Sequence, residues 1–260
     1  MKKAKPNYPI KVLDKSLSVL ELLLQKGSAM NMIELSEKLG FYPSTTHRIL
    51  DTLKHWGYVE QDSHTQKYQL GLKSLELGMA KLHQMDLVRE ATPYLRELAG
   101  KCNETVHLGI LENTHVLYLA KEESSQTIRM ISYVGRRAPL HCTGLGKVLL
   151  AHLPLSERNE LMNEIELTRL TENTITDKKK LVEELAKVEK GGFALDIEEN
   201  ERDVRCIAGP VRNYQGKVIA AVSISGPSYR ITDEKQNHLK EELVSTYKKI
   251  SSHLGFQLNL

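Results

Sequence analysis

LSEKLGFYPSTTHRILDTLKHWGYVEQDSHTQKYQLG, residues 35–71, decides how the N-terminal third of the chain folds. Gly40 ends one short helix, and Pro43 suits the first turn of the next, where its missing N–H is not needed. In that second helix Thr46, Ile49, Leu50 and Leu53 recur at i, i+3, i+4 and i+7, a stripe that should bury. At about 100° per residue Ser44, Arg48, Asp51 and His55 then lie on the opposite side, flanked by Thr45, His47 and Thr52. The exposed first turn carries short hydroxyls that suit phosphate oxygens, plus a His and an Arg able to reach base edges. Tyr58–Gln61 and Lys67–Leu70 read as strands around a polar turn at residues 62–66. Two short helices, a Gly-containing turn and a hairpin form a winged helix-turn-helix, whose wing offers Lys67 to backbone phosphate. Small domains with no nucleic-acid role also combine three helices and a hairpin. Trp56, at the end of the second helix, reads as core.

Upstream, Asp14 marks the start of a helical pattern in which Leu13, Leu17, Leu20 and Leu24 recur at i, i+4, i+7 and i+11, and Gly27 closes that helix. Asn31 with Glu34 three residues on has the spacing of a capping box, with Met32, Leu35 and Leu39 on one face behind it. The charge pattern agrees. Residues 1–85 hold 12 Lys and Arg against 8 Asp and Glu, whereas the other 175 hold 24 against 25, so the basic excess sits where a polyanion would dock.

The whole chain is 260 residues with 40% hydrophobic and 27% charged residues, which implies two domains with real cores and excludes wholesale disorder. No apolar run approaches the ~18 residues of a membrane span, and the basic start lacks the apolar stretch of a signal peptide. Cys102, Cys142 and Cys206 form no CxxC pair and no even disulfide set. The expectation is a cytoplasmic protein without membrane association.

Beyond the hairpin, Leu72, Leu75, Leu77, Met79 and Leu82 mark a connecting helix that Pro93 should limit. The fold class expected is α+β. Strands are read at Thr105–Leu111, His115–Ala120 and Ile128–Tyr133, and helices from Gly144, near Ser156–Met162 and over Asp177–Glu189. Strands return at Phe193–Asp196, Val204–Val211 and Val218–Ser225, before a last helix capped by Thr232. The boundaries drawn are 10–72 for the winged helix-turn-helix, 73–88 for the linker helix and 89–260 for the C-terminal domain.

A small-molecule site is legible in fragments. Ser223 and Ser225 share one face of an apolar strand, where buried hydroxyls need backbone acceptors, waters or a ligand. Gly144 and Gly146 bracket a turn entering a helix, and such turns aim N–H groups at an anion. Asp196 ends a strand and can accept from a hydroxyl. Together these suit a small polar molecule with a carboxylate. The plain alternative is that the serines bond backbone and that Cys206 is an inert core thiol.

Residues 35–71 resemble the winged helix-turn-helix of the IclR family of bacterial transcriptional regulators. GRRAPLHCTGLGKVLLAH (135–152), FALDIEE (193–199), VRCIAGPV (204–211) and AAVSISGP (220–227) resemble that family's effector-binding domain, a GAF-like antiparallel sheet with packed helices. The resemblance implies a linker helix, dimers or tetramers, and effectors such as short keto or hydroxy acids, glyoxylate-like or sugar-acid-like. It carries the pocket to Gly144, Leu145, Asp196, Cys206, Ser223 and Ser225, and the DNA-reading positions to Ser44, Thr45, His47 and Arg48. One departure stands in the acidic loop, where Arg202-Asp203 replaces the Pro-Gly pair common in the family. The function expected is an operator-binding regulator, read as a repressor, with no cofactor, metal or catalytic residue. The competing reading is a small-molecule enzyme built on His141, Cys142, Asp196 and Cys206, with the N-terminal domain as an interaction module. Adjacent His141 and Cys142 would point apart in an extended segment, and no metal-ligand spacing is present, which disfavours it.

Overall fold

In a computed structural model, which describes residues 10–83, 86–127 and 130–256, the chain divides into two compact units, Met1–Gln84 and Met85–Leu260. Among the described residues no helix is long and apolar enough to cross a membrane.

The first unit runs α1 (Lys11–Lys26), α2 (Met32–Leu39), α3 (Pro43–His55), β1 (Val59–Gln61), β2 (Tyr68–Leu70) and α4 (Leu72–His83). Local capping is as the sequence requires: Asn31 Oδ1 accepts from the Glu34 amide at 2.8 Å, and Gly27 and Gly40 adopt left-handed conformations as helix stops. Thr46, Ile49, Leu50 and Leu53 are all buried, and the Thr46 hydroxyl meets that of Ser36 at 2.9 Å, a polar tie between α2 and α3. Val59 pairs with Leu70 and Gln61 with Tyr68 across the hairpin.

The reading of α1 needs correction. The helix starts at Lys11 rather than behind Asp14, and its buried residues are Val19 and Leu23, with Leu20 half-buried. Leu13, Leu17 and Leu24 are each more than half exposed. This helix is apolar on two sides, and the side that meets α2, α3 and β2 is set by contact, not by the count of leucines. The linker reading is corrected too. Two helices, α4 and α5 (Asp86–Cys102), occupy the region, with residues 84 and 85 outside the described ones. Pro93 lies inside α5, which it does not end. Ala91, Leu95 and Leu98 anchor that helix in the core and offset the lost backbone bond.

The second unit is α+β. Its six-stranded antiparallel sheet has the order β5-β4-β3-β8-β7-β6. The strands are β3 (Thr105–Glu112), β4 (His115–Glu122), β5 (Arg137–Pro139), β6 (Ala194–Ile197), β7 (Val204–Arg212) and β8 (Val218–Pro227). The strand expected over Ile128–Tyr133 begins outside the described residues, and its described part, 130–133, is loop; the edge strand is β5 instead. Helices cover both faces. α5 and α9 (Asp233–His253) pack on one, where a side chain at Gly209 would collide with the Tyr247 ring. α6 (Gly144–Ala151), α7 (Leu155–Glu164) and α8 (Lys178–Gly191) build the other around Val148, Leu149, Leu181 and Leu185.

Across that second face runs a buried charge. Lys147, in α6, is fully buried, pairs with Glu199 in the loop after β6, and lies 3.9 Å from Glu184 of α8. Burial pushes the Glu199 carboxyl up, and the lysine beside it opposes that shift. Removing one partner strands the other charge, so Lys147→Met should cost about 3–5 kcal/mol, while the double variant with Glu199→Gln should recover much of it. Urea unfolding followed by far-UV dichroism decides this; a loss under about 1 kcal/mol for the single variant would show that the pair does not hold the fold.

Candidate functional site

On the first unit, the side of α3 opposite its buried stripe is open to solvent. Ser44, His47, Arg48 and Thr52 are exposed and Thr45 half-exposed, along about two turns. His47 Nδ1 lies 3.0 Å from Asp51, and the Thr52 hydroxyl donates to the Arg48 carbonyl at 2.9 Å. Lys67 is exposed at the base of the wing, whose tip is folded over Asp62: that carboxylate accepts from the amides of His64 and Thr65 at 3.0 and 2.7 Å. Trp56 is not core. It is 66% exposed and meets His55 edge-on, because α3 ends before its ring can turn inward.

On the second unit, strand register assembles what the sequence holds in fragments. Asp196 pairs with Cys206, Cys206 with Ser225, and Ser225 with Thr105, one row crossing four strands. Two residues along each strand the next row reads Ala208, Ser223, His107 and Lys121. Side chains alternate in a strand, so both rows face the same way, toward α6. Gly144 sits directly above β7, where a side chain would press on Ala208 and Cys206.

The start of α6 is capped by a side chain. Thr143 caps the helix by accepting from the Gly146 amide at 3.1 Å, and its carbonyl takes the Lys147 amide. Gly144 and Leu145 belong to the first turn, whose amides have no partner within a helix, and both residues line the cleft. Gly146 has a different reason to be glycine: a side chain there would collide with the backbone of Leu140.

All six residues singled out in this domain, Gly144, Leu145, Asp196, Cys206, Ser223 and Ser225, line one cleft. His107, Tyr118, Ser132, Arg136 and Asn200 line it too and were missed. Alternation within Thr105–Glu112 places His107 on the face of Thr105, but only pairing with β8 brings it beside Ser223. The cleft has about 20 Å³ of free volume, room for one water. A more open groove, about 520 Å³, surrounds Trp56 and Leu72 on the first unit, but it gathers no buried polar group.

The electrostatics of the cleft are those of a dry site. Burial first, then the charge of Glu199, raises the Asp196 carboxyl to about 7, against bonds from the Glu199 and Asn200 amides at 2.8 and 3.4 Å. Burial holds His107 neutral, lowering it to about 3, with Lys121 and Arg136 adding to the shift. Burial also pushes Cys142 up to about 12 and Cys206 well above its ordinary value. Neither thiol is an activated nucleophile, and His141 is turned to the Thr168 carbonyl at 3.1 Å. Among the described residues no group of three or more His, Cys, Asp or Glu is placed to hold a metal.

The wall of the cleft that carries Asn200 accommodates its unusual sequence. Asp203 stands at φ 60° and Glu198 at φ 59°, left-handed conformations that glycine adopts freely and aspartate tolerates. The Arg202-Asp203 pair therefore keeps a turn of the kind a glycine would give.

Comparison with known proteins agrees with this architecture. The family model described as Bacterial transcriptional regulator IclR C-terminal matches residues 79–252, and the IclR helix-turn-helix domain matches residues 12–63. The chain belongs to the IclR family. The transcriptional regulator KdgR of Escherichia coli K12 is 40% identical over 227 residues, covering 87% of this chain and 86% of its own. The transcriptional repressor AllR of the same organism is 31% identical over 245 residues, 94% of this chain and 90% of its own. A solved IclR homologue from Microbacterium hydrocarbonoxydans, complexed with 4-hydroxybenzoate, has a TM-score of 0.81 at 26% identity, covering 94% of this chain and 98% of that one. This IclR-family chain is thus a transcriptional regulator whose helix-turn-helix binds DNA, and not an enzyme.

The Asp196 carboxyl gives a sign to test. Its pKa is higher folded than unfolded, so the folded state holds an extra proton between about pH 4 and 7. The stability it contributes is full below that window and is lost as pH rises through about 7. Asp196→Asn keeps the amide acceptor without the charge. It should match the wild type below about pH 4, pull ahead as pH rises through the window and show the full difference by pH 7.5, as measured by thermal melts; equal melts across that range would mean that Asp196 titrates in its ordinary range.

Proposed function

We propose that this regulator reads a DNA operator through the exposed side of α3 and changes its operator affinity when a small carboxylate-bearing molecule occupies the cleft under α6. The observation that carries the DNA half is the division of α3: four buried residues hold the helix while Ser44, His47, Arg48 and Thr52, with Thr45 half-exposed, face solvent on its outer side. Arg48 is the base reader, the hydroxyls and Lys67 are phosphate contacts, and the excess positive charge of the first 85 residues draws the duplex in.

The effector half is supported by the first turn of α6 lining one cleft with buried serine hydroxyls, and by an Asp196 carboxyl raised to about 7. A carboxylate accepts from the Gly144 and Leu145 amides, while Ser223, Ser225 and Asp196 serve polar groups on its body. The solved homologue with 4-hydroxybenzoate makes a carboxylate ligand chemically familiar to this fold. Repression is the sign favoured here, in keeping with the AllR relative. A second copy is the natural cover for the exposed stripe of Leu13, Leu17 and Leu24 on α1 and that of Leu72 and Leu75 on α4. A two-fold dimer would set two α3 helices in major grooves about 34 Å apart.

The test is a titration of the chain with DNA from upstream of its own coding region against a scrambled duplex, at two salt concentrations. A preference of about 10³ or more with a steep salt slope is expected. Arg48→Ala should cost about 1–3 kcal/mol on the preferred site and leave the scrambled duplex nearly unaffected. Unchanged discrimination in that variant would remove Arg48 as a base reader.

A further inference from the structure

The outer face of α3 carries a charged residue that the DNA reading above does not use. Asp51 shares the side opposite the buried stripe with Ser44, Arg48 and His55, and its side chain is 57% exposed. Elementary physics disfavours an aspartate in that place on three counts. Aspartate is a poorer helix former than alanine. It stands in the C-terminal half of α3, where the helix dipole gives a carboxylate no support. It also turns a negative charge toward the side that meets a polyanion. His47, one turn back, brings Nδ1 to 3.0 Å from Asp51 Oδ2, but a solvent-exposed pair at this spacing contributes little to the fold. Stability therefore does not account for the carboxylate.

Resting on the reading of α3 as the helix that enters DNA, we propose that Asp51 is a specificity-determining residue: it accepts from the N4 amine of a cytosine in the major groove and penalises sites that lack one. Chemistry selects the base. Guanine O6 and N7 and thymine O4 are acceptors and repel a carboxylate, and adenine sets the acceptor N7 beside its amine. Cytosine presents its amine alone. Position selects the neighbourhood. Asp51 lies three residues past Arg48, about 4.5 Å along the helix axis, which is close to the roughly 3.4 Å step between base pairs. The cytosine thus falls within a base pair or two of the guanine that suits Arg48.

The His47 ring beside Oδ2 restricts where the carboxylate can swing, and a carboxylate has a second oxygen to offer a base. The charge weakens the hold on every duplex, and only a site with the matching amine offsets that loss. Discrimination is gained by repelling the wrong sequences as much as by attracting the right one.

The experiment is selection of binding sites from a randomised duplex library by the full chain, followed by titration of the selected site and of a scrambled duplex. Asp51→Ala removes the charge and favours the helix, so the variant should fold, which circular dichroism checks. It should lose a cytosine preference of about tenfold or more at one position of each half-site, keep the rest of the motif, and bind the scrambled duplex about twofold or more tighter. Asp51→Glu, which retains the acceptor, should keep the cytosine preference at reduced strength. Arg48→Ala should instead relax the neighbouring guanine position. An unchanged motif in Asp51→Ala would overturn the inference and leave α3 as the reading helix. Relaxation of every position in the folded variant would overturn it too, since Asp51 would then only hold the helix in shape. No motif from the wild type would refute the reading of α3 itself.

Discussion

The C-terminal unit is organised around a charge that has no business being buried. Lys147 must reach an anion or leave an ammonium in the core, and Glu199 is the anion it reaches. That single demand fixes several things at once. It pulls the loop after β6 down onto α6, which brings the Glu199 and Asn200 amides onto Asp196. Thr171 and Thr174 then bind the Glu199 carbonyl at 3.2 and 2.6 Å, so the preceding loop is drawn into the same knot. A pair of hydrophobic residues could stabilise the unit as well or better, since desolvating two charges offsets most of their attraction. What the ion pair adds is placement: α6, whose first turn roofs the polar rows, is locked to the loop that walls them.

The same knot shapes the chemistry of the cleft. Glu199 is close enough to Asp196 to add to the upward push that burial exerts, and it leaves one oxygen, Oε2, without a partner among the described residues. A neutral Asp196 can donate as well as accept, whereas an ionised one would repel an incoming acid. Taking the lysine away would thus alter both the wall and the proton on the floor, and the two effects would be felt together.

Much of this was legible from residue spacing, and the limits have a common cause. Helix caps at Asn31 and Thr232, the buried stripe of α3 and the alternation of Ser223 and Ser225 are local matters, decided within a few residues. They stand in the structure where the spacing puts them. The errors arise where the partner is distant. On α1 two apolar stripes compete, and only contact with α2, α3 and β2 selects Val19 and Leu23. Trp56 is apolar enough to read as core but lies past the last turn that could bury it. Lys147, which spacing does not single out, is the sharpest omission. Within TGLGKVLLA it resembles the one solvent-facing residue of a short helix, and nothing nearby hints at Glu199, 52 positions on. His107 likewise looks like an ordinary strand residue until β8 is laid beside it.

The tightness of the cleft bears on how a ligand could act at a distance. With about 20 Å³ free, the carboxylate proposed for the cleft would need its walls to part. Whatever that parting costs is subtracted from the affinity, and the closed form is favoured by the same amount in the absence of ligand. On the proposed reading, an occupied cleft and a closed one differ in the arrangement of 130–136 and 198–203. Linkage then runs in both directions. If operator binding favours one arrangement, it must alter ligand affinity by the same factor by which ligand alters operator affinity. A ligand that fitted without parting the walls would bind and regulate nothing, however tightly it held.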